Sequence, residues 1–106
     1  MDYKFKEDVV FNKLQMYVDK TYKQHYGSGK IQSTEFIFDS GHGEGFCIGN
    51  IIKYAQRYGK KHDKKDDMDL YKVIHYALIL LGEREKEREG LDKYYTSQYD
   101  NGNNDG

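Results

Sequence analysis

Proline is missing from this chain, and so is tryptophan. Without proline no residue lacks its backbone donor or clashes with the preceding turn, so long unbroken helices are permitted. One cysteine, Cys47, excludes an internal disulfide and suits a reducing compartment. The longest apolar run, Tyr76 to Leu81, falls far short of the roughly 20 residues a spanning helix needs. Met1-Asp2-Tyr3-Lys4 opens no apolar stretch of the kind a secretory signal carries, which leads us to expect a cytoplasmic protein. Apolar residues are themselves scarce, at 37% of the chain with a mean hydropathy of −1.00. In 106 residues that leaves one modest core, of a size that chains often supplement by self-association.

What the chain does have is tyrosine, eleven of them, and charge. A tyrosine ring is apolar with a polar tip, useful at the edge of a small core or for stacking on a base. The net charge of −1 conceals an asymmetry. Between Lys53 and Lys65 six basic residues (Lys53, Arg57, Lys60, Lys61, Lys64, Lys65) face a single acid, Asp63. From Glu83 onward acids prevail. A local positive field beside acidic surroundings favours a compact anion over long duplex nucleic acid, whose phosphates the rest of the surface would repel.

Hydrophobic spacing predicts an all-α protein, a small bundle of about three main helices with a glycine-rich loop. Val10, Leu14, Tyr17, Val18 and Thr21 place the first helix over residues 7–23. Gly27-Ser28-Gly29 interrupts it. Phe36-Ile37-Phe38 suits either a short helix capped by Ser33 or Thr34, or a strand. Asp39 to Gly45 reads as a loop. The second long helix is expected from about Gly45 to Tyr58, with Gly59 as a left-handed cap. Its apolar arc is Ile48, Ile51, Ile52, Ala55 and Tyr58; Asn50, Lys53, Tyr54 and Arg57 fall on the opposite one.

The third helix should start near Lys65, gain from Asp66, Asp67 and Asp69 in its first turn, and stop at Gly90. It is apolar almost all round, from Leu70 to Leu81, which points to packing against a second subunit. Residues 1–94 thus read as one helical domain, with 95–106 a disordered tail.

The stripe Asn50, Lys53 and Arg57, followed by Lys60 and Lys61, is the strongest chemical signal. Guanidinium and ammonium groups meet phosphate oxygens, a carboxamide reads a base edge or a phosphate, and Tyr54 offers a stacking ring. The same spacing also fits a solvated basic face paired with Asp66, Asp67 and Asp69. Gly41, Gly43, Gly45 and Gly49 precede or open a helix, but no Lys-Ser/Thr follows, so this is no P-loop; Gly45 and Gly49 read rather as sites of close helix packing. His25, His42, His62 and His75 do not combine with Cys47 into metal-binding spacing, and no metal site is expected. His75 reads as an interface residue. Asp66 and Asp69 either orient Lys53 and Arg57 or, with a phosphorylated substrate, share a magnesium ion.

The run Gly45-Phe46-Cys47-Ile48-Gly49-Asn50-Ile51-Ile52-Lys53-Tyr54-Ala55-Gln56-Arg57-Tyr58-Gly59-Lys60-Lys61, with Asp69-Leu70-Tyr71-Lys72, Tyr76 and an earlier His25-Tyr26, resembles the SaV-like family of small phage proteins. The same domain is similar to the C-terminal part of the nucleotide kinase of T-odd coliphages. The resemblance covers roughly residues 25–82. It implies a helical fold, a phage origin, nucleotide handling and residence in the cytoplasm of an infected bacterium. By position, the ligand-facing residues are then Asn50, Lys53, Tyr54, Arg57, Lys60 and Lys61, with Asp69 as their partner and His25 and Tyr26 closing the site. Where the family reads as a further helix, between Tyr26 and Gly45, this sequence is rich in glycine.

The expected function is sequestration of a small phosphorylated signalling nucleotide, linear or cyclic, to counter host defence, by a homo-oligomer without a resident cofactor. A nucleoside-monophosphate kinase, which would bring magnesium, and a module binding a host protein are the alternatives.

Overall fold

The computed structural model describes residues 1–60 and 66–104, with the side chains of Tyr26 and of 98–104 left undescribed. Four helices account for nearly all of it, and no strand occurs among the described residues. Helix α1 is Glu7–His25, α2 is Lys30–Asp39, α3 is Gly43–Arg57 and α4 is Asp67–Asn104; a single 3₁₀ turn, Tyr26–Ser28, joins α1 to α2. The all-α class expected from the spacing is therefore found.

Local chemistry accounts for each boundary. Glu7 accepts a hydrogen bond from the Phe5 backbone N–H at 2.7 Å, and with Asp8 places carboxylates at the positive end of α1. Gly29, with φ of 79°, reverses the chain into α2, which resolves the Phe36–Phe38 ambiguity in favour of helix. Helix α2 ends in a Schellman motif. The Gly41 N–H donates to the Phe38 carbonyl and the His42 N–H to the Ile37 carbonyl, both at 3.0 Å, with Gly41 left-handed at φ 88°. The glycine-dense loop thus shrinks to Ser40–His42, and the helix the resemblance implied between Tyr26 and Gly45 is present despite the glycines.

Gly59 is left-handed, as expected, but one residue beyond the helix cap. Tyr58 (φ −56°, ψ 126°) and Gly59 (φ 79°) form the centre of a type II turn closed by the Lys60 N–H on the Arg57 carbonyl at 3.1 Å. Asp66 caps α4: its Oδ1 accepts from the Met68 N–H at 2.9 Å. The helix does not stop at Gly90. In place of the break there and the disordered tail expected over 95–106, the described residues are helical as far as Asn104. A helical glycine costs only about 1 kcal/mol, and the Lys86–Glu83 and Arg88–Glu85 pairs support the turns before it.

Helices α3 and α4 form an antiparallel hairpin that is the body of the protein. Arg57 meets Asp69, Tyr54 meets Lys72 and Tyr76, and Phe46 sits edge-on to Tyr76. Helices α1 and α2 fold across one side of it: Tyr17 of α1 packs on Tyr71 (5.5 Å between centroids) and His75 (5.7 Å), and Phe38 of α2 lies against Gly43. The core is small. Among the described residues only Leu14 and Cys47, at 8% and 0% exposure, count as buried hydrophobics. The molecule spans 69 × 39 × 25 Å, its length set by α4, whose 38 residues alone extend about 57 Å. Among the described residues no helix is long and apolar enough to cross a membrane.

Candidate functional site

The orientation of α3 differs from the one its hydrophobic arc predicts. Gly43, Cys47, Ile51, Tyr54 and Tyr58 are turned toward its neighbours, while Ile48, Ile52 and Ala55 face outward. Tyr54, expected on the polar face, is half-buried against α4. The physical reason is aromatic packing. Its ring stacks on Tyr76 at 6.1 Å with 12° between planes, and Phe46 meets Tyr76 edge-on at 5.6 Å.

Two ammonium groups converge on that ring. Lys53 Nζ lies 5.0 Å from the Tyr54 centroid and Lys72 Nζ 4.9 Å from it, within cation–π reach. The two charges are therefore within about 10 Å of each other, roughly one Debye length, where their repulsion is only partly screened. Among the described residues neither has a salt-bridge partner. An arriving anion relieves that repulsion.

The remaining predicted residues are distributed as follows. Asn50 shares the flank of α3 with Lys53 and Arg57, but its Nδ2 donates to the Phe46 carbonyl at 2.9 Å, which occupies one of its two donors. Arg57 is not free: its Nε is 3.7 Å from Oδ1 of Asp69. Asp69 is 3% exposed, in the first turn of α4 where the dipole favours a carboxylate, and its Oδ2 has no hydrogen-bond partner among the described residues. The pairing expected between the basic stripe and the aspartates thus occurs for Arg57 with Asp69. Lys60 is exposed beyond the end of α3. Lys61 lies outside the described residues, as does the side chain of Tyr26.

His25, at the end of α1, lines a cavity of about 430 Å³ between α1, α2 and α4, and Tyr54 borders the same cavity. Its size falls in the usual range for small-molecule sites. Sequence reasoning missed most of its wall: Lys30, Lys72, His75, Tyr76, Glu83 and Lys86. Lys86 is held by Glu83 at 2.8 Å, which raises the pKa of its ammonium through that hydrogen bond and the adjacent charge. Burial pushes the His75 imidazole below its ordinary value of 6.5, so it is neutral at pH 7. Burial likewise raises the phenols of Tyr17 and Tyr76, with Tyr54 adding to both shifts. His75, expected at a subunit interface, is instead packed edge-on against Tyr17 of its own chain. The signal was present in the sequence: Met68, Lys72, His75, Ile79, Glu83 and Lys86 repeat every three or four residues, a mixed stripe hidden within an otherwise apolar helix.

Cys47 is fully buried, and burial followed by the nearby Glu83 charge raises its thiol pKa, the opposite of an activated nucleophile. No group of three or more His, Cys, Asp or Glu is placed to hold a metal ion among the described residues.

Residues 20–78 match a family described as a protein of unknown function, DUF3310. The chain belongs to the DUF3310 family. The matched segment begins in the last turns of α1 and ends in the first third of α4, so the DUF3310 region contains α2, α3, Tyr54 and most of the cavity wall. Lys86 and the charged remainder of α4 lie beyond it. No curated protein and no solved structure matches this chain.

Proposed function

We propose that this DUF3310 protein binds and sequesters a small phosphorylated ligand carrying a flat ring, a nucleotide, in the cavity beside Tyr54. The observation that carries this reading is the convergence of Lys53 and Lys72 on one aromatic ring that borders a 430 Å³ cavity. Ammonium groups with no carboxylate partner among the described residues supply the phosphate contact, and the neighbouring phenol and imidazole rings supply a surface on which a base stacks. Lys30 adds a further charge on the α2 side. The likeness of the Gly45–Lys61 run to SaV-like phage proteins agrees with a nucleotide ligand. On this reading the protein acts in an infected bacterium, where removing a signalling nucleotide would blunt host defence. Isothermal titration against linear and cyclic nucleotides tests the reading. Saturable uptake that weakens with salt supports it, and no heat with any nucleotide removes it.

A second reading, nucleoside-monophosphate kinase, is favoured by one observation: Asp69 keeps a buried oxygen with no partner among the described residues, beside Arg57. A carboxylate so placed suits phosphoryl transfer with magnesium, which the protein would take up with its substrate. Incubation with nucleoside monophosphates, ATP and magnesium separates the two, since sequestration yields no diphosphate.

A further inference from the structure

The side of the α3–α4 hairpin that α1 and α2 leave uncovered is apolar, and the helical phases show that it is continuous. On α3, Cys47 marks the inward direction. At about 100° per residue, Ile48, Ile52 and Ala55 lie roughly 80–140° round from it in one sense, and Lys53 and Arg57 a similar angle in the other. On α4, Asp69 marks the inward direction; Leu70 and Leu81 lie roughly 100–120° away in one sense, and Lys72 about 60° away in the other. Because the two helices run antiparallel, rotation of the same sense on each reaches the same side of the hairpin. Lysines and cavity therefore share one side, and Ile48, Ile52, Ala55, Leu70 and Leu81 share the opposite one.

These residues are exposed together on one face, Ile52 at 62% and Leu81 at 57%, and an apolar patch gathered in this way marks an interaction surface. Asp67 stands at the near edge of the α4 patch, which carries no charged residue from Leu70 to Leu81. Just past it, on the same phase of α4, come Arg84, Glu85 and Arg88, charges of both signs.

We infer that a second copy of this chain covers this face, pairing hairpin with hairpin about a twofold axis. Area argues for it. The chain exposes 8875 Å², whereas a compact monomer of 12.5 kDa exposes about 6,200 Å². The excess of about 2,700 Å², part of which belongs to the projecting end of α4, is larger than the roughly 800 Å² per partner that a specific interface removes. Charge argues for it as well, since a rim of alternating sign meets its own copy without net repulsion. Gly45 and Gly49 border the face with open space where a Cβ would project, so nothing prevents close approach of the partner's backbone. The packing expected at these two glycines is absent within the chain, and the second copy supplies it.

One consequence follows for the cavity: in such a dimer the two cavities open on opposite outer sides, each built from one chain, so ligand binds one per copy without a shared site.

Sedimentation equilibrium of the full chain tests this. The wild type is expected at twice 12.5 kDa. The Ile52→Lys/Leu81→Lys pair is expected to dissociate at least about thirtyfold more readily, as for loss of an interface hot spot, with its helical circular dichroism retained. Phe11→Lys, an equally exposed apolar position on α1, should leave the dimer intact. If the lysine pair lost its helical signal, Ile52→Ser/Leu81→Ser would read the same equilibrium. A monomeric wild type overturns the inference, as does a double variant that stays dimeric or a Phe11→Lys that does not. None of these outcomes depends on whether a nucleotide binds.

Discussion

Replacing Gly43 by alanine tests how closely α2 approaches α3. A Cβ built at Gly43 falls 2.0, 2.3 and 2.4 Å from three ring atoms of Phe38, well inside any tolerated contact. The ring must move by more than an ångström or the corner between α2 and α3 must open. Overpacking of this kind costs about 1–3 kcal/mol. The gain in helix propensity is small at the first helical position, where the residue is only beginning to be fixed, so the net loss should be about 1–2 kcal/mol. For a chain of this size each kcal/mol shifts the midpoint by about 4–8 °C, so Gly43→Ala should melt on the order of 5–15 °C below wild type. The assay is a thermal melt followed by near-ultraviolet circular dichroism of the tyrosines. Gly82→Ala is the matching control: nothing lies within 4 Å of its Cβ, and it should stabilise α4 by about 0.5–1 kcal/mol. Because Phe38 also lines the cavity, Gly43→Ala should weaken ligand uptake while Gly82→Ala does not. A Gly43→Ala protein as stable as wild type would refute the reasoning, since no steric conflict could then exist at that corner.

The cavity gives further expectations. Lys72→Ala should weaken nucleotide uptake about tenfold or more in titration calorimetry, the loss expected for one charge-assisted hydrogen bond, whereas Lys60→Ala, outside the cavity lining, should stay within about twofold. His75 is held below its ordinary pKa, so the unfolded chain takes up that proton first as pH falls. Its contribution is complete above pH 6.5 and declines below it; denaturant melts at stepped pH should show wild type losing stability there and His75→Gln losing less. Arg57→Met strands a buried carboxylate and should cost about 1–3 kcal/mol by urea titration, less than a fully buried pair because Arg57 is 39% exposed in its side chain. Asp69→Asn should cost less than Arg57→Met, and the reverse order would mean that Asp69 is stabilised by something other than Arg57.

Much of this architecture was legible in the residues. The apolar spacing placed α1, and the lack of proline allowed α4 to run unbroken. Gly59 marked a left-handed turn because only such a residue sits comfortably there. Gly90 misled because the stop signal needs a left-handed backbone as well as a glycine, and among the described glycines only Gly29, Gly41 and Gly59 adopt positive φ. The phase of α3 was misjudged because its isoleucines outweigh Tyr54 in hydrophobicity, whereas the three-ring contact of Phe46, Tyr54 and Tyr76 decides which side turns inward. Asn50, Lys53 and Arg57 share a flank of α3 because their spacing is helical, and Arg57 meets Asp69 across the hairpin. The stripe holding Lys72 and His75 shows in the spacing of α4, but that α1 and α2 fold back over it is a long-range event that no local pattern records.

The outer half of α4 bears on how any stability measurement should be read. From Arg84 to Ser97 every residue is exposed, so those turns rest on backbone bonds and neighbouring charges alone. A solitary helix of that length is marginal in water. Its amides should exchange with solvent long before those near Cys47, and its ellipticity should fade ahead of the main transition. Warming therefore unravels this rod from its free end while the tyrosine cluster stays intact, and an optical probe that averages over all peptide bonds would record two events where the folded body undergoes one.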